Sequence, residues 1–259
     1  MSRNWIAKSA ISAFSLVFFF TLTASIPTVS IADNEVEQLM RGMDDLYQGD
    51  SSESVMTMQI DTEHFSRTLT VQTWSKGPDH ALMKILAPLK EKGTTTLKAD
   101  NEIWNYLPKI NRVIKVPSSM MGAGWMGSHF TNDDLLKENR YSDDYDCLIS
   151  ERNEQDIVIA CTPHEDAALV WGRVDMTMDA VSKLPKQVQY FDEDFVATRT
   201  MAFGAVAERD GRTIPTQMEV TLAEKPGERT LVIYDSIRFD VDIDDSMFTI
   251  MALKRESRK

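Results

Sequence analysis

Lys92–Leu136 reads KGTTTLKADNEIWNYLPKINRVIKVPSSMMGAGWMGSHFTNDDLL, and this stretch decides the fold. Two extended runs, Thr95–Lys98 and Glu102–Leu107, are followed by Pro108 and a basic run at Arg112–Val116. Runs of this length, rich in β-branched and aromatic residues and bounded by turn residues, are typical of short antiparallel strands. The first half of the stretch therefore predicts neighbouring strands of one sheet.

The second half of the stretch is of a different kind. A loop rich in methionine and glycine occupies Met120–Gly127, and Thr131–Leu136 begins like a capped, acidic helix. Methionine is flexible and polarizable, so it adapts to irregular or changing apolar partners. We predict that this half covers an apolar space. The alternative is an ordinary core that uses some of the 15 methionines of the chain in place of leucine.

The candidate ligand-binding residues of this cavity and its lid are the apolar side chains of the same stretch. They are Trp104, Tyr106, Met120, Met121, Trp125, Met126 and Phe130. Two neighbouring bases, Arg112 and Lys115, are candidates for contact with a phosphate or carboxylate headgroup. The alternative for this pair is a solvated face of a strand.

The first 32 residues have the pattern of a secretory signal peptide. Arg3 and Lys8 precede an apolar run at Ile11–Leu22, and Ser30-Ile31-Ala32 supplies small residues before a cut. We predict cleavage after Ala32 and export. The alternative is an uncleaved anchor, but the apolar run is short for a membrane span of about 20 residues.

Charge and length narrow the class of protein. Loss of Arg3 and Lys8 moves the net charge from −12 to −14, with 40 acidic residues in the chain. An acidic exported protein is a poor partner for nucleic acid or for anionic membranes, so we expect transient membrane contact at most. The remaining residues, 33–259, are enough for one domain with one core.

The two cysteines lie on either side of a polar turn. Cys147 and Cys161 occur in YDCLISERNEQDIVIACTP, and a turn centred on Glu154 places them opposite each other. In an oxidising compartment this arrangement predicts a cross-strand disulfide. The alternative is a pair of buried free thiols.

Periodicity along the rest of the chain predicts a mainly β protein. Asp33 or Asn34 is placed to cap a helix from about Glu35 to Tyr47, and a second helical segment is expected near residues 132–139. Between and after them, alternating runs separated by turns predict about ten or eleven strands in an antiparallel barrel or strongly curled sheet. Two short helices do not fill such a barrel, but they are long enough to close its mouth.

Motifs for catalysis, metals and cofactors are weak. Ser128 is next to His129, but adjacent residues seldom form a catalytic pair. Gly122-Ala123-Gly124 lacks the lysine of a phosphate loop. Asp143, Asp144 and Asp146 lack the glycine and terminal glutamate of a calcium loop. We therefore predict no enzyme activity, no metal and no cofactor.

The central stretch also carries a family resemblance. The residues concerned are Lys92-Gly93-Thr94, Trp104-x-Tyr106-Leu107-Pro108, Arg112, Met126-Gly127-Ser128-x-Phe130-Thr131 and Asp134-Leu135, with a closing Ile243-Asp244-Asp245-Ser246-Met247-Phe248-Thr249. This pattern resembles the outer membrane lipoprotein-sorting protein family, which is similar to the periplasmic lipoprotein carrier of the Lol pathway. This chain has His129 where that pattern has aspartate.

The resemblance implies an unclosed antiparallel β-barrel with helices as a lid over a hydrophobic cavity. It implies a periplasmic carrier or chaperone that binds lipid or lipoprotein acyl chains for transport to the outer membrane. A second hypothesis is a non-enzymatic accessory or sensor subunit of an inner-membrane lipid or efflux transporter. A hydrolase that uses Ser128 is the third and weakest hypothesis.

Overall fold

The structure is a computed structural model that describes residues 31–99, 101–137, 140–165, 167 and 169–259. It contains four α-helices among these residues, which are α1 (Ile31–Asp44), α2 (Asn132–Lys137), α3 (Tyr141–Asp144) and α4 (Ile250–Ser257). In this part of the chain no helix is both long enough and apolar enough to cross a membrane. The predicted signal peptide lies almost entirely outside the described residues.

Thirteen strands make up the rest of the regular structure. They are β1 (Ser51–Asp61), β2 (Ser66–Lys76), β3 (His80–Ala87), β4 (Thr95–Ala99), β5 (Glu102–Leu107), β6 (Arg112–Lys115), β7 (Tyr145–Arg152), β8 (Asp156–Pro163), β9 (Arg173–Asp179), β10 (Pro185–Phe191), β11 (Ala197–Arg209), β12 (Arg212–Leu222) and β13 (Arg229–Phe239). The sequence predicts two or three fewer, because it does not resolve how many of the short runs form strands of their own.

All thirteen strands belong to one antiparallel sheet, in the order β6-β5-β4-β3-β2-β1-β13-β12-β11-β10-β9-β8-β7. Strands that are neighbours in the sheet are also consecutive in sequence, except at one place, where β1 pairs with β13. The sheet has two free edges, β6 and β7, so the barrel is unclosed. The predicted fold class, an unclosed antiparallel β-barrel with short helices as a lid, is confirmed.

The position of the free edges explains the lid. Because β6 and β7 lie at opposite edges of the sheet and follow each other in the chain, the connection between them passes from one edge to the other. Its described residues pack on the main core through Trp125, Phe130 and Leu135. We call residues 116–137 the lid segment. The predicted capping of α2 is confirmed, since the Asp134 backbone N–H donates to Thr131 Oγ1 at 3.0 Å and Thr131 N–H donates to the Asp134 carboxylate at 2.6 Å.

The sheet has an apolar cluster on each face. The larger cluster lies on the concave face under α1 and the lid segment, and includes Met58, Ile60 and Val71. The smaller cluster lies on the back, where Tyr106 packs with Leu253 of α4. Strand side chains alternate between faces, so one strand supplies both clusters.

The helices differ from the sequence prediction at both ends of the chain. The described part of helix α1 runs from Ile31 to Asp44, so Asp33 and Asn34 lie in helical backbone and do not cap a helix that starts at Glu35. Helix α4 is not predicted, since it has only eight residues; Thr249 caps it by accepting from the Ala252 N–H at 3.3 Å.

The predicted disulfide is confirmed. Cys147 of β7 and Cys161 of β8 are direct partners in the hairpin register and are joined by a disulfide, with their Cα atoms 4.1 Å apart. Cys161 is completely buried in the main core. The bond fixes the β7 edge of the sheet beside α1.

Candidate functional site

Two adjoining cavities lie on the concave face beneath the lid segment. The first cavity has a volume of about 110 Å³ and lies over strands β1 to β3, with Met56, Met58 and Met83 in its wall. The second has a volume of about 90 Å³ and lies between α1, α3 and strands β10 and β11, with Met43, Tyr190 and Met201 in its wall. Both linings are mainly apolar and contain several flexible methionines.

A thin wall of side chains lies between the cavities. Tyr47, Phe130, Leu135 and Met218 line both of them. Phe130 and Leu135 belong to the lid segment, whereas Tyr47 follows α1 and stacks on Tyr234 with ring centroids 4.4 Å apart. Phe130 and Leu135 are therefore the two lid residues that stand between the cavities.

Trp125 fixes the lid segment to the sheet near the β6 edge. Its side chain is buried, and its indole Nε1–H donates to Thr96 Oγ1 at 3.0 Å. The Thr96 hydroxyl in turn donates to Asn105 Oδ1 at 2.6 Å, across the β4–β5 pair. Since a buried indole N–H needs an acceptor, this chain of bonds specifies where the lid rests.

His129 fixes the lid segment to the opposite side, at the start of β13. Its backbone N–H donates to Thr230 Oγ1 at 3.0 Å, and its ring contacts the same oxygen through Nδ1 at 2.8 Å. Its Nε2 lies 3.2 Å from Glu228 Oε2. The backbone N–H of Glu63, and then His129, lower the pKa of Glu228. The Ser128 hydroxyl bonds to the Trp125 carbonyl at 2.8 Å, so the histidine and the serine have separate anchoring partners.

A buried arginine lies in the wall of the second cavity. Arg199 of β11 is 3 % exposed, and its Nη1 donates to Asp134 Oδ1 of α2 at 2.7 Å. Its guanidinium carbon lies 5.1, 5.7 and 5.9 Å from the ring centroids of Tyr190, Phe130 and Trp171. Burial opposes the charge of Arg199, but Asp134 and Tyr190 together raise the pKa of Arg199 above its ordinary value. The arginine is therefore charged and ties the lid helix to the sheet.

The predicted lid residues are brought together on the concave face. Trp125 and Phe130 line the first cavity, and Phe130 lines the second as well. Met121 and Met126 are partly buried against the main cluster. Met120 is 53 % exposed and does not line either cavity.

The predicted residues of β5 and β6 lie elsewhere. Trp104 and Tyr106 belong to the cluster on the back of the sheet, so neither lines the cavities. The alternation of β5 allows either face, and α4, which covers the back, is not evident from the sequence. Arg112 and Lys115 are exposed on the edge strand β6, where Lys115 pairs with Glu102 and lies 5.6 Å from the Trp104 ring centroid. Both basic side chains therefore lie on an exposed strand face, away from the two cavities.

Sequence reasoning missed the residues contributed by distant strands. Arg199 is the most informative of them, because Met201 and Phe203 on the same face of β11 also line the second cavity. A single arginine on an otherwise apolar face is a detectable signal. Its partner Asp134 is 65 residues away in sequence, which no local pattern reveals.

The fold and the covered concave face place this protein in a class of known structures. It is similar to a DUF1329 family protein from Desulfovibrio piger, with 23 % identity over 86 % of this chain and 100 % of that chain, and a TM-score of 0.75. It is also similar to a domain assigned as an outer membrane lipoprotein-sorting protein from Vibrio parahaemolyticus, with 21 % identity over 85 % and 98 % of the chains and a TM-score of 0.70. A LolA superfamily protein from Nitrosomonas europaea has 18 % identity over 83 % and 98 %, with a TM-score of 0.69. The chain therefore shares the fold of these three proteins.

The family assignment comes from the sequence. A family model with the description "-like: Uncharacterized protein" matches residues 77–255, and the chain belongs to that family. No curated protein matches the chain. The matched range contains the lid segment and Arg199, and it ends within α4.

Proposed function

We propose that this protein is a non-enzymatic periplasmic carrier that binds lipid or lipoprotein acyl chains on the concave face of its sheet, for transport toward the outer membrane. The observation that carries the proposal is the pair of apolar cavities separated only by side chains, two of which belong to the lid segment. The LolA-like fold supports the same class of ligand. The predicted cleavage after Ala32 and the disulfide both suit an exported protein in an oxidising compartment.

Binding requires the cavities to widen. A water molecule needs about 10–15 Å³ of such space, so each cavity has room for roughly eight. A long acyl chain therefore enters only when Phe130 and Leu135 move aside and the methionines repack, which their flexible side chains permit.

Apolar burial is large enough to drive this movement. Each buried methylene group contributes about 0.8 kcal/mol, so about ten of them contribute roughly 8 kcal/mol before the costs of ordering the chain and moving the lid. The lid is held at Trp125, His129 and Asp134 by a few hydrogen bonds, one of them charged. Acyl burial is therefore large enough to offset the loss of these hydrogen bonds.

Lipid analysis of the purified protein tests the proposal. The mature protein, isolated without detergent from the periplasm, is extracted with organic solvent and analysed by mass spectrometry, and the delipidated protein is titrated with a fluorescent acyl probe. We expect a stoichiometric acyl lipid or saturable probe binding. Absence of both, with the protein folded, contradicts a carrier.

The same preparation distinguishes the accessory-subunit hypothesis. Capture of an inner-membrane transporter by lipid-free protein that does not bind the probe favours that hypothesis. Trp125 is unsuitable as a surface probe for it, because the indole is buried and bonded to Thr96. Met120 is exposed, so Met120→Asp tests a contact made by the lid surface without breaking the lid.

A further inference from the structure

The guanidinium of Arg199 has donors that the fold does not use. Its Nη1 bonds to Asp134, but Nε and Nη2 are buried without a hydrogen-bond acceptor among the described residues. Buried polar groups are nearly always paired, so two unpaired N–H positions on one charged side chain indicate an absent partner. Met201 and Phe203, on the same face of β11, do not offer an acceptor oxygen.

The charges around Arg199 indicate what kind of partner fits. Asp134 already neutralises the guanidinium, and Asp133 adds a second carboxylate to the wall of the same cavity. Tyr141 and Tyr190 share a hydroxyl–hydroxyl contact of 2.5 Å, and burial followed by the proximity of Tyr190 raises the pKa of Tyr141, so the Tyr141 hydroxyl is uncharged. A second anion meets two carboxylates here, whereas a neutral acceptor oxygen meets no such repulsion.

Phe130 controls access to these donors. Its ring lies 5.7 Å from the guanidinium carbon and lines both cavities. A chain that passes from one cavity into the other displaces this ring from the guanidinium. The guanidinium of Arg199 then contacts the ligand group that takes the place of the Phe130 ring.

We propose that Arg199 donates from Nε and Nη2 to the carbonyl oxygen of an acyl ester, and that the protein thereby selects ester-linked lipids. This inference rests on the proposed function, because Arg199 is the residue that contacts the ester group of the same bound acyl chain. The ligand class is a neutral acyl ester of glycerol, whether from a glycerolipid or from the diacylglyceryl group of a lipoprotein. The hydrocarbon chains occupy the cavities, and the ester lies in the second cavity, where Arg199 is beside Phe130.

Ester and ether lipids of equal chain length test the proposal. A diacylglycerol and the corresponding di-O-alkylglycerol, which lacks the carbonyl oxygens, compete against a fluorescent acyl probe on the mature, disulfide-bonded protein. Since a hydrogen bond to a charged group is worth about tenfold or more in affinity, we expect the ester to compete about 10- to 100-fold better. Arg199→Lys keeps the charge beside Asp134 but removes the planar pair of donors, so the preference is lost.

A matched control is available on the same protein. Arg173 also lies over an aromatic ring, 5.6 Å from the Phe191 centroid, and pairs with an aspartate, Asp175, at 2.6 Å. Arg173→Lys is expected to retain the full ester preference. If Arg199→Lys does not fold, the double variant Arg199→Gln with Asp134→Asn removes both charges together and is expected to bind ester and ether equally.

The possible results separate the inference from the proposed function. Equal competition by ester and ether in the wild-type protein overturns the role of Arg199 while leaving acyl binding intact. A free fatty acid that competes better than its methyl ester, through Arg199, overturns the choice of a neutral acceptor. Failure of every lipid and of the probe to bind overturns the proposed function and the inference with it.

Discussion

The ion pair between Arg199 and Asp134 gives the sharpest stability prediction. Arg199 Nη1 and Asp134 Oδ1 are 2.7 Å apart, and the arginine side chain is 3 % exposed while that of the aspartate is 22 % exposed. At an effective dielectric constant near 20, two charges at this distance attract by about 6 kcal/mol, and burial of the arginine offsets a large part of that energy. We expect a coupling free energy of about 2–3 kcal/mol in a double-mutant cycle with Arg199→Gln and Asp134→Asn.

Denaturant unfolding of the oxidised protein measures this coupling. The four proteins of the cycle are unfolded in urea at one pH and salt concentration, with tryptophan fluorescence as the probe. The same cycle on Arg173 and Asp175, a half-buried pair at 2.6 Å with 41 % and 19 % exposure, is the control and is expected to give at most about 1 kcal/mol. Equal coupling in the two cycles contradicts the claim that Arg199 holds the lid helix on the sheet.

Three further predictions concern the disulfide, the His129 anchor and the back of the sheet. The disulfide joins residues with a sequence separation of 14. Replacement of both cysteines by serine is expected to lower the free energy of unfolding in urea by about 3 kcal/mol. An unchanged unfolding midpoint contradicts this. The backbone N–H of Glu63, and then His129, lower the pKa of Glu228 below its ordinary value near 4.5. The ionised Glu228 carboxylate therefore stabilises the folded protein fully above that pH, and this contribution is lost as the pH falls further. Glu228→Gln is therefore expected to lose less stability than wild type on acidification below pH 4.5, and equal acid sensitivity argues against the contacts of the Glu228 carboxylate with Glu63 and His129. Leu253 of α4 is fully buried in the cluster on the back of the sheet. Leu253→Ala is expected to lower the free energy of unfolding by about 2–5 kcal/mol without changing the affinity for the acyl probe. Weakened probe binding by the folded variant contradicts the claim that the back of the sheet takes no part in binding.

Local patterns predicted the elements well where they carry strong signals. The alternation around Cys147 and Cys161 fixes the hairpin register, and the disulfide follows from it. Thr131 and Asp134 form the expected cap of α2 because that cap depends only on residues three apart. The resemblance of the central stretch to the lipoprotein-sorting family agrees with the fold observed.

The composition of the cavity depends on which elements meet in space. Trp104 and Tyr106 lie on the back of the sheet because the alternation of β5 turns Ile103 toward the concave face. Arg199 enters the site because β11 lies opposite the lid helix, a neighbourhood set by the pairing of β1 with β13. Pairing of strands far apart in sequence is not encoded in any local period, so these placements required the structure.

The central claim is that acyl chains bind inside the first cavity, and Thr73→Phe tests it most directly. Thr73 of β2 lines this cavity, and its buried hydroxyl has no hydrogen-bond partner among the described residues, so a phenyl ring fills the space without breaking a bond. The matched control is Thr70→Phe on the opposite face of the same strand. In titrations with a fluorescent acyl probe, we expect Thr73→Phe to weaken binding at least about tenfold, because the phenyl ring takes the space in which two or more methylene groups of the probe are otherwise buried. Thr70→Phe is expected to bind the probe like the wild-type protein. Equal binding by a folded Thr73→Phe variant contradicts the account.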